Sequence, residues 1–77
     1  MPPFPSMKAK RLLAILMREP LNYHVVRQRG SHRRLKAFGR PSFTFAYHDR
    51  ETLSPGEVRD VLIHDVQLDE RQALDLL

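Results

Sequence analysis

Apolar residues at helical spacing predict an amphipathic helix over residues 7–18. Its apolar positions are Ala9, Leu12, Leu13 and Leu16, and the basic positions on its other side are Lys8, Arg11 and Arg18. Ser6 is the expected N-cap. Pro20 ends the helix, because a residue that precedes proline is disfavoured in the α region. Prolines dominate the start of the chain, so we expect residues 1–6 to be a flexible leader and residues 7–77 to form a single domain.

Three runs separated by turn residues predict an antiparallel meander after this helix, and the first and third are rich in β-branched and aromatic residues. The runs are residues 23–28, 32–38 and 42–48. Arg29-Gly30-Ser31 fits a three-residue hairpin loop in which Gly30 takes a positive φ. Residues 39–41 form the next turn.

Two capping boxes predict helices in the last third of the chain. Ser54 and Glu57 can cap each other's amides, with a proline at the first helical position, and Asp69 with Gln72 repeats the pattern. The first of these helices runs to residue 64 or 65, with Val58, Val61 and Leu62 on its apolar stripe, and the second is short. The expected fold class is α+β, in the order α-β-β-β-α with a short C-terminal helix. The three-stranded antiparallel sheet has helices on one face.

Strand alternation sorts the candidate functional residues by face. His32, Arg34 and Lys36 share one face of the second strand, opposite to Leu35. If Leu35 and the aromatic residues of the third strand face the helices, both His32 and His48 lie on the open face.

Charge is distributed unevenly along the chain, whose net charge is +4. Residues 1–48 contain ten Lys or Arg and one acid, whereas residues 49–77 contain three Lys or Arg and eight acids. This asymmetry favours a polyanionic partner for the first part of the chain. The alternative is that the basic residues only keep the sheet surface solvated.

Composition excludes several functional classes. The chain has no cysteine, which rules out disulfides, thiol catalysis and Cys-ligated zinc. The His-Asp pairs at residues 48–49 and 64–65 do not have metal-ligand spacing, so we expect no metal site. No phosphate-binding glycine loop is present, and no cofactor is expected. No apolar run is long enough to span a membrane, which makes the cytoplasm the expected location.

His32 is the candidate catalytic residue. An imidazole has an ordinary pKa near neutrality, and among cations it could act as a general acid or base at a phosphodiester. The alternative is an ordinary surface histidine at the start of a strand.

Residues 7–77 resemble the HicA-type toxins of bacterial toxin–antitoxin pairs. Three features carry the resemblance: Gln28-Arg29-Gly30-Ser31-His32 after the first strand, His48 at the end of the third, and the segment Leu53-Ser54-Pro55-Gly56-Glu57-Val58-Arg59-Asp60-Val61-Leu62. There are departures: Arg29 replaces the usual lysine, Asn22 replaces a glycine that often precedes the first strand, and Ala46 replaces a frequent proline.

The resemblance implies a fold like that of double-stranded-RNA-binding domains and a metal-independent endoribonuclease that cleaves mRNA. It makes His32 the catalytic residue, with Gly30 and Ser31 shaping the turn that presents it. It also implies neutralisation by a HicB-like antitoxin protein. The predicted RNA-binding residues are Lys8, Arg11, Arg29, Gly30, Ser31, Arg34, Lys36 and His48.

Two other functions fit the same residues. One is a non-catalytic double-stranded-RNA-binding module of the same fold. The other is a protein-interaction domain whose basic face binds an acidic partner. RNA cleavage and growth arrest on expression are expected only of the toxin.

Overall fold

A computed structural model describes residues 3–77 of the chain. It confirms the predicted α+β class, in which helices cover one face of a three-stranded antiparallel sheet. The elements in chain order are β1 (Met7–Lys8), α1 (Ala9–Met17), β2 (His24–Arg29), β3 (His32–Lys36), β4 (Phe43–Phe45), β5 (Thr52–Leu53), α2 (Pro55–Arg59), a π-helical segment (Asp60–Asp65) and α3 (Glu70–Asp75).

The sheet has the order β2-β3-β4, so β3 is its central strand. Leu35 of β3 lies opposite Val25 on one side and Phe43 on the other. Leu35, Phe43 and Phe45 are buried, which identifies the face that packs on the helices. As predicted, His32 and Lys36 are exposed on the other face.

One hydrophobic core holds the sheet and helices together. Tyr23 and Phe43 meet edge to face with ring centroids 5.2 Å apart, a geometry that the ring quadrupoles favour. The Tyr23 hydroxyl donates to the Pro41 carbonyl oxygen at 2.7 Å, so the buried phenol has a partner. The largest fully buried side chains are Tyr23, Phe45, Leu12, Leu16, Leu21, Leu35, Leu53, Leu62 and Val58.

The start of the chain differs from the prediction. Met7 and Lys8 are not helical but pair with Leu53 and Thr52 as a two-stranded sheet, so α1 begins at Ala9 without a side-chain cap from Ser6. Phe4, within the predicted flexible leader, is buried in the core with 3% of its surface exposed. Residues 1 and 2 of that leader lie outside the described part of the chain.

Both capping boxes are confirmed. The Glu57 amide donates to Ser54 Oγ at 3.1 Å and the Ser54 amide donates to Glu57 Oε1 at 2.9 Å. Asp69 and Gln72 make the equivalent pair of hydrogen bonds. Beyond Arg59 the predicted helix continues to Asp65 as a π-helix. Within residues 3–77, no helix has the length and apolar content that crossing a membrane requires.

Candidate nucleic-acid interface

A concavity on the open face of the sheet surrounds His32. Its volume of about 620 Å³ lies within the range of ligand sites in proteins. The lining residues are Arg27, Gln28, Arg29, His32, Arg34 and Thr44, which include three arginines and no acidic residue. The exposed imidazole therefore lies on a surface whose charge attracts anions.

A β-bulge in β2 brings Arg27 and Arg29 to this face. Val25 is on the core side, and strict alternation from Val25 would place both arginines on the core side as well. The register shifts between Val25 and Arg27. As a result Arg27 lies opposite Arg34, and Arg29 lies opposite His32. Because directly opposed residues project from the same face of a sheet, the bulge adds two cations to the surroundings of His32.

The hairpin that presents His32 is tighter than predicted. Arg29 and His32 are paired strand residues, so the loop has two residues, Gly30 and Ser31, rather than three. Gly30 has a φ of +58°, which confirms the predicted positive value. This left-handed conformation strains residues with a Cβ atom. The Gln28 side-chain amide donates to the Gly30 carbonyl oxygen at 3.1 Å and braces the turn.

Arg34 is positioned by a side chain of the neighbouring strand. Its Nη1 donates to Thr44 Oγ1 at 3.4 Å, and the two residues are opposed in the pairing of β3 with β4. A guanidinium carries five N–H donors in a planar fork that matches phosphate oxygens. The Thr44 contact uses one of these donors and fixes the orientation of the group.

His48 does not line the concavity around His32. It lies three residues beyond the end of β4 and lines a second concavity with Gly30, Ser31, Arg33, Asp49 and Arg50. The two histidines that were predicted to lie on the open face therefore line different concavities. Strand alternation fails as a guide here, because His48 is no longer in a strand.

An ion pair fixes the loop that carries His48. Arg33 Nη2 lies 2.8 Å from Asp49 Oδ1, and 14% of the Arg33 side chain is exposed against 47% for Asp49. Arg33 Nη1 is buried and has no hydrogen-bond partner within residues 3–77. Arg33 is on the core side of β3, so it holds the loop against the sheet and does not face the concavity of His32.

Lys8 and Arg11 lie on a third surface, away from the His32 concavity. They line a groove beside α1 together with Arg18 and the C-terminal residues Leu76 and Leu77. Two of these cations contact backbone carbonyls, because Lys8 Nζ donates to the Arg50 oxygen at 3.1 Å and Arg18 Nη2 donates to the Leu76 oxygen at 3.2 Å. The structure therefore separates these predicted RNA-binding residues from Arg29, Arg34 and Lys36.

Asp65, Tyr23 and Tyr47 have raised pKa values. Burial raises the pKa of Asp65, and the neighbouring Asp60 carboxylate raises it further, while His64 acts in the opposite direction. Burial also raises the pKa of Tyr23, and burial with the nearby Glu57 carboxylate raises the pKa of Tyr47. Both phenols are therefore protonated at neutral pH. Among residues 3–77, no three His, Asp or Glu side chains are grouped as metal ligands.

Three lining residues were missed by the sequence reasoning: Arg27, Gln28 and Thr44. Thr44 could have been found, since it alternates along its strand with the buried Phe43 and Phe45. Arg27 could not be assigned by alternation. The one available signal of a bulge was that alternation from Val25 would have placed the charged Arg27 on the core face of the strand.

Comparison with models of protein families gave a match. The family model described as "HicA toxin of bacterial toxin-antitoxin" matches residues 9–68 of the 77-residue chain. The chain belongs to the HicA toxin family. The match includes the hairpin, His32, His48 and α2. Comparison with curated proteins and with solved structures gave no match.

Membership in this family identifies the kind of system to which the protein belongs. It is the toxin of a bacterial toxin–antitoxin pair, and its partner is a cognate antitoxin. The resemblance inferred from the hairpin and the α2 capping box is therefore confirmed.

Proposed function

We propose that this HicA toxin is a metal-independent endoribonuclease that cleaves mRNA at the open face of its sheet, within a single domain of residues 7–77 into whose core Phe4 also packs. The observation that carries the proposal is the position of His32, which is exposed and surrounded by Arg27, Arg29 and Arg34. Because mRNA is the substrate, we expect the protein to act in the cytoplasm.

The arginines supply binding and charge stabilisation. A phosphodiester bound in the concavity meets only cationic and neutral side chains, and hydrogen bonds from guanidinium groups to phosphate oxygens are among the strong ones. The same groups stabilise the negative charge that develops on the phosphate oxygens in the transition state. Lys36, exposed farther along β3, extends this surface.

His32 handles the proton in the cleavage step. RNA carries its own nucleophile, the 2′-OH, next to the scissile phosphate. Attack by this oxygen forms a 2′,3′-cyclic phosphate and breaks the bond to the 5′ oxygen, which leaves as a hydroxyl. The 2′-OH proton must be taken up and the 5′ oxygen must gain a proton, and an imidazole at the phosphate can assist such transfers. No metal-activated water is needed.

The test is cleavage of RNA in the presence of EDTA by the wild-type protein and by His32→Ala. We expect fragments ending in a 2′,3′-cyclic phosphate from the wild-type protein and none above background from the variant. Equal cleavage by both proteins would remove His32 from the mechanism. Salt-sensitive RNA binding without any cleavage would favour the non-catalytic RNA-binding module.

The cognate antitoxin is proposed to be HicB-like and to cover the His32 concavity. A partner that binds only the folded toxin stabilises it by about 2.7 kcal/mol at a hundred times its dissociation constant. We therefore expect the partner to raise the Tm of the toxin and to inhibit RNA cleavage. A partner that raises the Tm but leaves cleavage unchanged binds some other surface.

A further inference from the structure

Phe38 is a fully exposed aromatic residue at the end of the basic row on β3. His32 and Lys36 are exposed and Arg34 is half-buried, and these residues alternate with residues on the core side of the sheet. The alternation continues past the end of the strand, because Ala37 is buried and Phe38 is exposed. A proton-transfer group, two cations and an aromatic ring therefore follow one another along the side of the strand that faces away from the core.

The turn that carries Phe38 is held in place. The Arg40 amide donates to the Ala37 carbonyl oxygen at 3.2 Å. One residue farther on, the Pro41 carbonyl oxygen accepts the hydrogen bond from the buried Tyr23 at 2.7 Å. The ring is thus presented from an ordered turn.

Within residues 3–77, no side chain covers the Phe38 ring. It is fully exposed, so it gains none of the free energy that burial of a phenylalanine supplies. Lys36 and Arg40 lie two residues before and two residues after it. The ligand that fits this surface carries negative charge together with flat apolar rings, which is the chemistry of single-stranded nucleic acid.

We propose that Phe38 is a stacking platform for an unpaired base of the RNA, whose backbone follows β3 past Lys36 and Arg34 to His32. This rests on the proposed function for the identity of the ligand, and it adds that the RNA is held as a single strand. Strand geometry separates His32 from Lys36 by about 13 Å, so the stacked base lies a few nucleotides from the phosphate at His32. Bases in a duplex are stacked on one another and leave no free ring face for Phe38.

The first experiment uses an indole as a reporter at this position. The chain contains no tryptophan, so Phe38→Trp introduces a single selectively excited fluorophore. The probe is a 2′-O-methyl RNA strand of about eight nucleotides, within the range that single-stranded-binding folds occupy. Methylation removes the nucleophile, so binding is measured without cleavage. We expect the strand to quench the indole emission, and we expect an abasic strand of the same length, and a duplex, to leave it nearly unchanged.

The second experiment measures affinity for the same strand. Stacking on one aromatic side chain is worth enough that Phe38→Ala should weaken binding by about 5-fold or more. Met17→Ala is the matched control, because Met17 is an exposed apolar residue on α1, and it should bind as the wild-type protein does. Phe38 makes no core contact, so its substitution should leave the unfolding transition in place.

Several results would overturn the inference. Wild-type affinity in Phe38→Ala, or equal quenching by the abasic strand, contradicts stacking. If RNA is nevertheless cleaved in a His32-dependent manner, only the inference fails and the proposed function stands. If the quenching depends on the bases but RNA cleavage does not depend on His32, the proposed function fails and stacking on Phe38 stands. Loss of antitoxin binding in Phe38→Ala, with unchanged RNA affinity, would identify Phe38 as a protein contact and also overturn the inference.

Discussion

The salt dependence of RNA binding tests which basic residues contact the phosphates. Four cations belong to the open face of the sheet: Arg27, Arg29, Arg34 and Lys36. If each neutralises one phosphate of a single strand, the slope of log Kobs against log salt concentration is about −2.8, from roughly −0.7 for each contact. Raising the salt from about 50 to 200 mM then weakens binding about 50-fold.

Removing one of these cations changes the slope by a predictable amount. Arg34→Gln should leave three contacts and a slope of about −2.1. Arg11→Gln is the control, because Arg11 lines the groove beside α1 and not the His32 concavity. It removes the same charge from the protein but should leave the slope near that of the wild type.

The assay is fluorescence anisotropy of a labelled 2′-O-methyl RNA strand over a series of salt concentrations. The ratio of slopes between variant and wild type matters more than the absolute slope. If Arg34→Gln leaves the slope unchanged, the phosphates do not follow the open face. The same conclusion holds if Arg11→Gln makes the slope less negative by as much as Arg34→Gln does. The assignment of the interface would then be wrong.

Three further predictions concern the scaffold around the site. Gly30→Ala should lower the free energy of unfolding in urea by about 1–2 kcal/mol, because Gly30 has φ +58° and an added Cβ meets nothing within 4 Å, so only the backbone opposes it; an unchanged unfolding midpoint would refute this. Asp49→Asn should lower the free energy of unfolding by about 1–2 kcal/mol, because the mostly buried Arg33 loses its charged partner. A higher urea midpoint for this variant would contradict a stabilising role of the ion pair. Asp65→Asn should raise the Tm at pH 7, because folding raises the pKa of Asp65 and so disfavours its ionised form. The gain should vanish as the pH falls below about 4, where the carboxyl is protonated in both the folded and unfolded states, and a gain that grows on acidification would refute the sign.

Local signals made the first residues of α2 and α3 predictable. Each capping box joins residues three apart in the chain, and Ser54 with Glu57 formed the expected pair of hydrogen bonds. Given a buried Leu35, period-two alternation likewise placed His32 on the open face. In both cases the interaction that decides the structure lies within a few residues.

Features that depend on distant residues were not predictable. Met7 pairs with Leu53, which is far from it in the sequence. The apolar pattern over residues 7–18 has helical spacing, and nothing in it indicates that its first two residues form a strand. The bulge in β2 reverses the alternation after Val25, which concealed Arg27. His48 was assigned by extending β4, although that strand ends at Phe45.

The proposed function requires His32 to move a proton during the cleavage of RNA. Single-turnover cleavage with saturating toxin measures that step apart from binding, with His48→Ala as the histidine control, because His48 lines a different concavity. We predict that His32→Ala slows cleavage by about 10² to 10⁴-fold, whereas His48→Ala changes the rate far less. A wild-type rate in His32→Ala would show that His32 does not take part in the proton transfer.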